Sequence, residues 1–201
     1  FQTGYLYGKI NHIDIRNYGS GNSGTTNALR VLGKKAGLIV FAGDFLKTVF
    51  ACLAARLIFQ ESPDTDLYVL YAGLGVVLGH NFPCYLKFKG GKGIAVMAAL
   101  VVSNCFWHLP YSSILFFVTL AFFLVPVLVT RYVSLGSLLA YAVFFIQMVI
   151  FGQLGWFDMA KGAVYELYVI TFLLTALAWY RHRANIKRLL NGTENKFGSK
   201  K

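Results

Sequence analysis

Six long apolar runs separated by short polar loops are the feature that most constrains the fold of this chain. The runs lie at about 36–59, 67–79, 94–109, 112–130, 132–151 and 163–180. A helix of about 18–20 apolar residues can cross a bilayer, whose core satisfies no backbone N–H or C=O group. The runs therefore predict membrane-spanning α-helices. We expect the two shorter ones, 67–79 and 94–109, to be tilted, to thin the bilayer or to be partly re-entrant.

The segment Phe1–Ile10 is apolar but too short to span a bilayer. We interpret it as the end of a first helix whose beginning precedes this sequence. The prediction is an all-α polytopic membrane protein with seven transmembrane helices, the first truncated, in a single integral-membrane domain over residues 1–201. Only 13% of the residues are charged, against about 25% in soluble domains, which leaves too little polar side chain to cover a surface facing water.

The basic residues are distributed unevenly between the loops. The net charge is +11, from 19 Lys+Arg against 8 Asp+Glu. Most of the Lys and Arg lie in the loops at about 11–35 and 80–93 and in the tail at about 181–201, whereas the intervening loops are mostly acidic. An excess of Lys and Arg marks the cytoplasmic face. We therefore expect both loops and the tail to be cytoplasmic, and the basic charge requires no nucleic-acid partner.

The first of these loops is rich in glycine and small polar residues and contains Gly19-Ser20-Gly21-Asn22-Ser23-Gly24-Thr25-Thr26-Asn27. Such a backbone can turn successive N–H groups toward one anion. We expect Thr26 or Asn27 to cap a short helix that ends at Gly33, with Arg30 and Lys34 on one face of it. An ordinary flexible loop with topogenic charges is the alternative from composition alone.

The second loop combines Gly79-His80-Asn81-Phe82-Pro83 with Phe88-Lys89-Gly90-Gly91-Lys92-Gly93. Free N–H groups and the positive end of the following helix would lie beside two ammonium groups, a combination that suits phosphate. The loop is not a nucleotide-binding P-loop, because Lys87 stands where the first glycine would be and Ile94 replaces the hydroxyl residue.

The tail contains a third polar segment, from Arg181 to Glu194. On a continuing helix His182 and Asn185 would face the same way. Neighbouring cations lower the pKa of a histidine, so a neutral imidazole would be available to accept a proton. A basic amphipathic tail on anionic lipid explains the charges equally well, but it leaves Asn185 and Glu194 unexplained.

Asp44 and Lys47 lie three residues apart at membrane depth. Charges there are costly, so we expect the two to pair and face the bundle interior, either as a structural pair or as a substrate contact. The three cysteines and four histidines show no ligand spacing, which predicts no metal site and no cofactor.

The three polar segments, in this order and spacing, resemble the PlsY family of bacterial acyl-phosphate:glycerol-3-phosphate acyltransferases. The resemblance extends to Arg131-Tyr132-Val133-Ser134-Leu135, and Thr25 stands where the family usually has alanine. It implies a cytoplasmic active site in the bacterial inner membrane, where a fatty acyl group passes from acyl phosphate to glycerol 3-phosphate in phospholipid biosynthesis. Lysophosphatidic acid and inorganic phosphate would be the products, and no obligate protein partner is implied.

The resemblance also suggests a role for individual residues. Glycerol 3-phosphate would be held by Ser20, Arg30 and Lys89, and the phosphoryl group of the acyl phosphate by Gly90, Gly91, Lys92 and Gly93. Asn22 and Asn27 are further candidate substrate-binding residues. Asn185 would orient the glycerol hydroxyl, while His182 would act either as the base or as a positioning group with the substrate phosphate taking the proton. Structural roles are expected for Glu194, Asp44 and Lys47.

Two other interpretations remain open. An acyl-enzyme on Ser20 or Cys84 is one, although neither has a neighbouring base in sequence and an activated donor makes the extra step unnecessary. The other is a transporter or channel for an organic phosphate or anionic lipid. Transporters commonly contain inverted repeats, and we find none in this sequence.

Overall fold

The computed structural model describes residues 1–105, 111–157 and 159–198, and in that part of the chain it contains helices and no strand. The α-helices in chain order are α1 (Thr3–Ile10), α2 (Thr25–Leu32), α3 (Lys34–Ile58), α4 (Thr65–Asn81), α5 (Ile94–Cys105), α6 (Tyr111–Thr130), α7 (Val133–Gln153), α8 (Lys161–Arg181) and α9 (Arg183–Leu190). Single 3₁₀ turns occur at Ile15–Asn17 and Cys84–Leu86. The prediction of an all-α chain is confirmed.

Five of these helices, α3, α4, α6, α7 and α8, are long and apolar enough to cross a membrane. The two shorter ones are α1, with 8 residues, and α5, with 12. They correspond to the apolar segment Phe1–Ile10 and to the short run predicted at 94–109, of which residues 106–110 lie outside the described part. Helix α4 has 17 residues and is longer than the run predicted at 67–79. Polar residues extend the helix at both ends.

Most of the helices pack around a large apolar core, and a smaller apolar cluster lies between α2, the start of α3 and the preceding loop. Helix α3 packs against α2, α4 and α5, and α7 packs against α6 and α8. Leu70, Leu100, Phe144 and Leu174, from α4, α5, α7 and α8, are almost completely buried in the core. The outer face of α6 is instead apolar and exposed, and Leu128 and Val129 are 75% and 78% accessible. Such a surface is expected where lipid replaces water around a helix bundle.

The connections bring the three polar segments to one end of the bundle. Consecutive spanning helices run in opposite directions, so the C-terminal ends of α4, α6 and α8 lie beside the N-terminal ends of α5, α7 and α9. Helix α2 packs against the first turns of α3 at the same end. A polar site formed by all three segments is therefore geometrically possible.

Two local predictions for the first loop are wrong. The N-cap of α2 is Gly24 and no side chain caps the helix, because Asn27 lies inside α2 and its amide bonds to the preceding loop. Helix α2 ends before Gly33 as predicted, but Gly33 has a φ of +87° and α3 begins at Lys34. Arg30 and Lys34 consequently lie on different helices.

Close packing between α6 and α7 generates a prediction at Gly136. A Cβ at this position would overlap the Phe123 carbonyl oxygen and lie 2.7 Å from Cγ2 of Val127. A backbone neighbour cannot rotate away, so we expect Gly136→Ala to lower the free energy of unfolding by about 1–3 kcal/mol. Thermal or denaturant unfolding of the protein in detergent measures the effect. Gly75→Ala on α4, where nothing lies within 4 Å, is the matched control, and an equal loss in both variants would contradict the close contact.

Candidate active site

A polar cavity of about 190 Å³ lies where the three segments meet. Ten of the residues singled out in the sequence line it, namely Ser20, Asn22, Asn27, Arg30, Asp44, Lys92, Gly93, His182, Asn185 and Glu194. Lys47, Lys89, Gly90 and Gly91 do not line it. Lys89 is exposed on the surface. The predicted convergence of Arg30, Lys92 and His182 on a single site is therefore present.

The first loop owes its shape to one buried amide. The Asn27 side chain, 2% exposed, accepts the N–H of Ser20 at 2.8 Å and donates to the carbonyls of Ile15 and Tyr18 at 3.2 and 3.0 Å. These bonds use both amide protons and one oxygen lone pair. Asn27 therefore positions Ser20 at the cavity, and its own contact with a substrate stays a prediction.

The Gly90–Gly91 pair is held by the protein itself. The N–H of Gly90 donates to the Asn81 carbonyl and that of Gly91 to the His80 carbonyl, each at 3.1 Å. On the other side Nη2 of Arg181 donates to the carbonyls of Gly90 and Gly91 at 2.7 and 2.9 Å. The predicted use of these two N–H groups for a phosphoryl group is thus wrong, because both already have acceptors.

The free N–H groups lie slightly later, at the start of α5. The first helical bond of α5 runs from the N–H of Met97 to the carbonyl of Gly93 at 2.8 Å, so the N–H groups of residues 94–96 have no intrahelical acceptor. Ile94 and Ala95 line the cavity beside Lys92. A helix N-terminus with an adjacent ammonium group is a suitable site for an anion.

Lys92 is tied to the third segment by a hydrogen bond to Oδ1 of Asn185. Glu194 completes the arrangement, since its carboxylate accepts from Nδ2 of Asn185 and from Nε of Arg188, each at 2.9 Å. Burial lowers the pKa of Lys92 to about 8, with Arg188, Arg181 and Arg30 adding to the effect and Glu194 opposing it. The contacts of Glu194 are those expected of a structural residue.

His182 lies at the junction between α8 and α9 and is 2% exposed. Its Nδ1 is 2.7 Å from the carbonyl of Ala178. A carbonyl only accepts, so Nδ1 carries the proton and Nε2 of the neutral ring is an acceptor. Burial, followed by the charge of Lys92, lowers the pKa of His182 to about 4. The imidazole is therefore neutral near pH 7, as the sequence predicted.

The predicted pair of Asp44 and Lys47 is present and buried, with 2.6 Å between Oδ1 and Nζ. Three residues with contacts in this region were assigned no role from the sequence. His80 lies next to this pair, Arg181 holds the Gly90–Gly91 pair, and Arg188 pairs with Glu194 at the cavity. The one feature of the sequence that could have indicated a role for these residues is their position inside the polar motifs. Among the described residues no group of His, Cys, Asp and Glu could hold a metal ion.

A second cavity of about 330 Å³ adjoins the polar one and is lined mainly by apolar side chains of α3, α5, α6 and α7. Phe41, Ile94, Phe123 and Ser137 line both cavities. A polar chamber that continues into an apolar one accommodates a ligand with a charged head and a hydrocarbon tail.

Comparisons with known proteins agree with this geometry. The family model described as glycerol-3-phosphate acyltransferase matches residues 1–192. Relatives of that name from Thermoanaerobacter sp. (strain X514) and Clostridioides difficile (strain 630) are 41% and 42% identical, over 98% and 99% of this chain and 93% and 90% of their own length.

Two solved structures are also similar, both of PlsY, an integral membrane glycerol 3-phosphate acyltransferase. The glycerol 3-phosphate form has a TM-score of 0.80 and 34% identity, covering 98% of this chain and 88% of that protein. The lysophosphatidic acid form has a TM-score of 0.77 and 35% identity, covering 97% and 87%. The matched family model, the relatives and these structures show that the chain is a multi-pass membrane protein belonging to the glycerol-3-phosphate acyltransferase family.

Proposed function

We propose that the protein transfers a fatty acyl group from acyl phosphate to glycerol 3-phosphate in phospholipid biosynthesis. The observation that carries this proposal is the cationic polar cavity that continues into an apolar one. The polar part suits two phosphate groups and the apolar part suits an acyl chain. The similar structures in glycerol 3-phosphate and lysophosphatidic acid forms support the same substrate and product.

The chemistry requires that two anions be held together. Acyl phosphate is an activated mixed anhydride, so positioning is the main requirement, and proximity can contribute about 7–11 kcal/mol. A phosphate monoester carries about −1.5 to −2 charges, and two of them repel each other. Arg30, Lys92 and Arg188 line the cavity and offset that repulsion. We assign Ser20 and Arg30 to glycerol 3-phosphate, and Lys92, Gly93 and the start of α5 to the phosphoryl group of the donor.

In the transfer step the glycerol hydroxyl oxygen bonds to the acyl carbon, and the bond from that carbon to the phosphate oxygen breaks. The departing phosphate takes the bonding electron pair, and the hydroxyl proton must go to a base. A phosphate with a second pKa of about 6 is a stronger base than His182, whose pKa is about 4. We therefore propose that His182 and Asn185 orient the hydroxyl and that the phosphate takes the proton, the second of the two alternatives open from the sequence.

We further propose that the chain works as a single domain with its site at the cytoplasmic face of the bacterial inner membrane. The excess of Lys and Arg in the loops around the cavity supports this orientation. An acyl-enzyme on Cys84 gains no support, because this residue is exposed and does not line the polar cavity.

The decisive experiment separates acyl transfer from transport. Purified protein in detergent is expected to release phosphate from palmitoyl phosphate only when glycerol 3-phosphate is present, with lysophosphatidic acid formed in equal amount by mass spectrometry. A transporter would need a sealed membrane and release no phosphate. Absence of the lipid product from detergent-solubilised, folded protein would refute the proposed function.

The lowered pKa of Lys92 generates a prediction about pH. Below pH 8 the ammonium is charged and binds phosphate, so kcat/KM for the phosphorylated substrates is expected to fall about tenfold per pH unit above about pH 8. Lys92→Arg keeps its charge at high pH and should shift this limb upward by more than one unit, even at a lower maximum. The exposed Lys187→Gln variant, whose residue does not line the cavity, serves as the control. If kcat/KM of Lys92→Arg falls over the same pH range as in the parent protein, Lys92 is not the group whose titration causes that fall.

His182→Ala tests the positioning role. Loss of the acceptor that orients the glycerol hydroxyl is expected to lower kcat about 10²-fold, with a melting temperature close to that of the parent. His12→Asn replaces an exposed histidine with a φ of +58° by a residue that tolerates this backbone, and it should leave kcat unchanged. Normal turnover in His182→Ala would remove the histidine from the chemistry.

A further inference from the structure

The ammonium group of Lys47 fixes the protonation of a neighbouring histidine. It has three donors and no acceptor, and the structure engages it with Oδ1 of Asp44 at 2.6 Å, the Phe1 carbonyl at 2.7 Å and Nδ1 of His80 at 2.9 Å. Because the ammonium can only donate, Nδ1 of His80 is the acceptor. The neutral His80 ring therefore carries its proton on Nε2.

Among the described residues nothing accepts a hydrogen bond from this Nε2–H group, and His80 belongs to the lining of the polar cavity. His80 is only 4% exposed, and it lines the cavity. Every hydrogen bond of its ring to a described residue is made through Nδ1. A donor without a protein partner at the edge of a cavity can be satisfied by a ligand that supplies the acceptor.

Gly91 lies directly against the imidazole ring of His80, and this contact explains why the second position of the Gly90–Gly91 pair is a glycine. A Cβ on Gly91 would overlap Nε2 of His80 and lie 2.8 Å from its Cε1. Any larger residue would cover the donor. Gly91 thus serves the site by leaving Nε2 accessible, since its own N–H is already used by the His80 carbonyl.

We propose that His80 is a further substrate-binding residue, whose Nε2–H donates to a phosphoryl oxygen in the cavity. Lys47 and Asp44 are then positioning residues that hold the required tautomer. The inference rests on the proposed function. The phosphoryl oxygen belongs either to the acyl phosphate or to glycerol 3-phosphate, and the chemistry of recognition is the same for both.

The two buried histidines at the cavity have complementary roles. His182 donates from Nδ1 to the Ala178 carbonyl and presents Nε2 as an acceptor, which suits a hydroxyl group. His80 accepts at Nδ1 from Lys47 and presents Nε2 as a donor, which suits a phosphate oxygen. Each tautomer is determined by the protein group that bonds to Nδ1, the Ala178 carbonyl for His182 and the Lys47 ammonium for His80.

Two amide substitutions separate ligand binding from a merely structural role. Asparagine reproduces the Nδ1 position and keeps the contact with Lys47, whereas glutamine reaches the Nε2 position. If His80 binds phosphate, His80→Asn should raise the KM for one phosphorylated substrate about 10- to 100-fold with little change in melting temperature, and His80→Gln should retain a KM closer to that of the parent. The substrate whose KM rises identifies the phosphate that is bound.

The outcomes distinguish the inference from the function on which it rests. Unchanged KM values for both substrates in folded His80→Asn would overturn the inference and leave acyl transfer intact. An active parent with equal KM increases in both variants, accompanied by lower melting temperatures, would indicate a structural role and also overturn it. A parent protein that forms no lysophosphatidic acid would refute both.

A measurement on the unsubstituted protein does not depend on the variants folding. Nitrogen-15 NMR of histidine-labelled protein should show His80 protonated on Nε2 and not on Nδ1. Addition of glycerol 3-phosphate or inorganic phosphate should shift the Nε2–H resonance downfield. An Nδ1-protonated ring, or a resonance that neither compound moves at saturation, would contradict the proposal.

Discussion

Crowding of cations at one end of the helix bundle is the constraint on which the site depends. Arg30, Lys92 and Arg188 line one cavity, and burial together with their mutual repulsion lowers the pKa of Lys92. The carboxylate of Glu194 offsets part of that repulsion and fixes both Arg188 and Asn185. This concentration of positive charge favours anionic ligands, in agreement with the phosphorylated substrates that we propose for the cavity.

The main-chain N–H and C=O groups of Gly90 and Gly91 form hydrogen bonds within the protein, and these bonds fix the position of the loop. The Gly90–Gly91 pair is held between the carbonyls of His80 and Asn81 on one side and Arg181 on the other. Lys92 and the N-terminus of α5 follow immediately, so their positions depend on this segment. Preorganised donors need no rearrangement when charge moves during the reaction. The glycines therefore hold the segment in place, while the following residues are the ones to which we assign the anion contacts.

Several parts of the site followed from the sequence because their physical basis is local. Hydropathy marked the spans, and the alternation of basic loops placed the three polar segments on one side of the membrane. The pairing of Asp44 with Lys47 followed from the cost of an isolated charge at membrane depth. The role of Asn27 was missed because its amide bonds reach residues 7 to 12 positions earlier. No local pattern encodes such contacts.

The sequence by itself determined an all-helical membrane chain, the membership of its family and the types of most residues that line the polar cavity. The length of an apolar run, the distribution of charge and the order of motifs depend only on residues that are close together in the sequence. Only the tertiary structure decided which donors are free and which way each imidazole is protonated. Those properties depend on contacts between distant segments, such as Lys47 with His80 and Arg181 with Gly90, which are 33 and 91 residues apart. Such contacts exist only once the helices have packed.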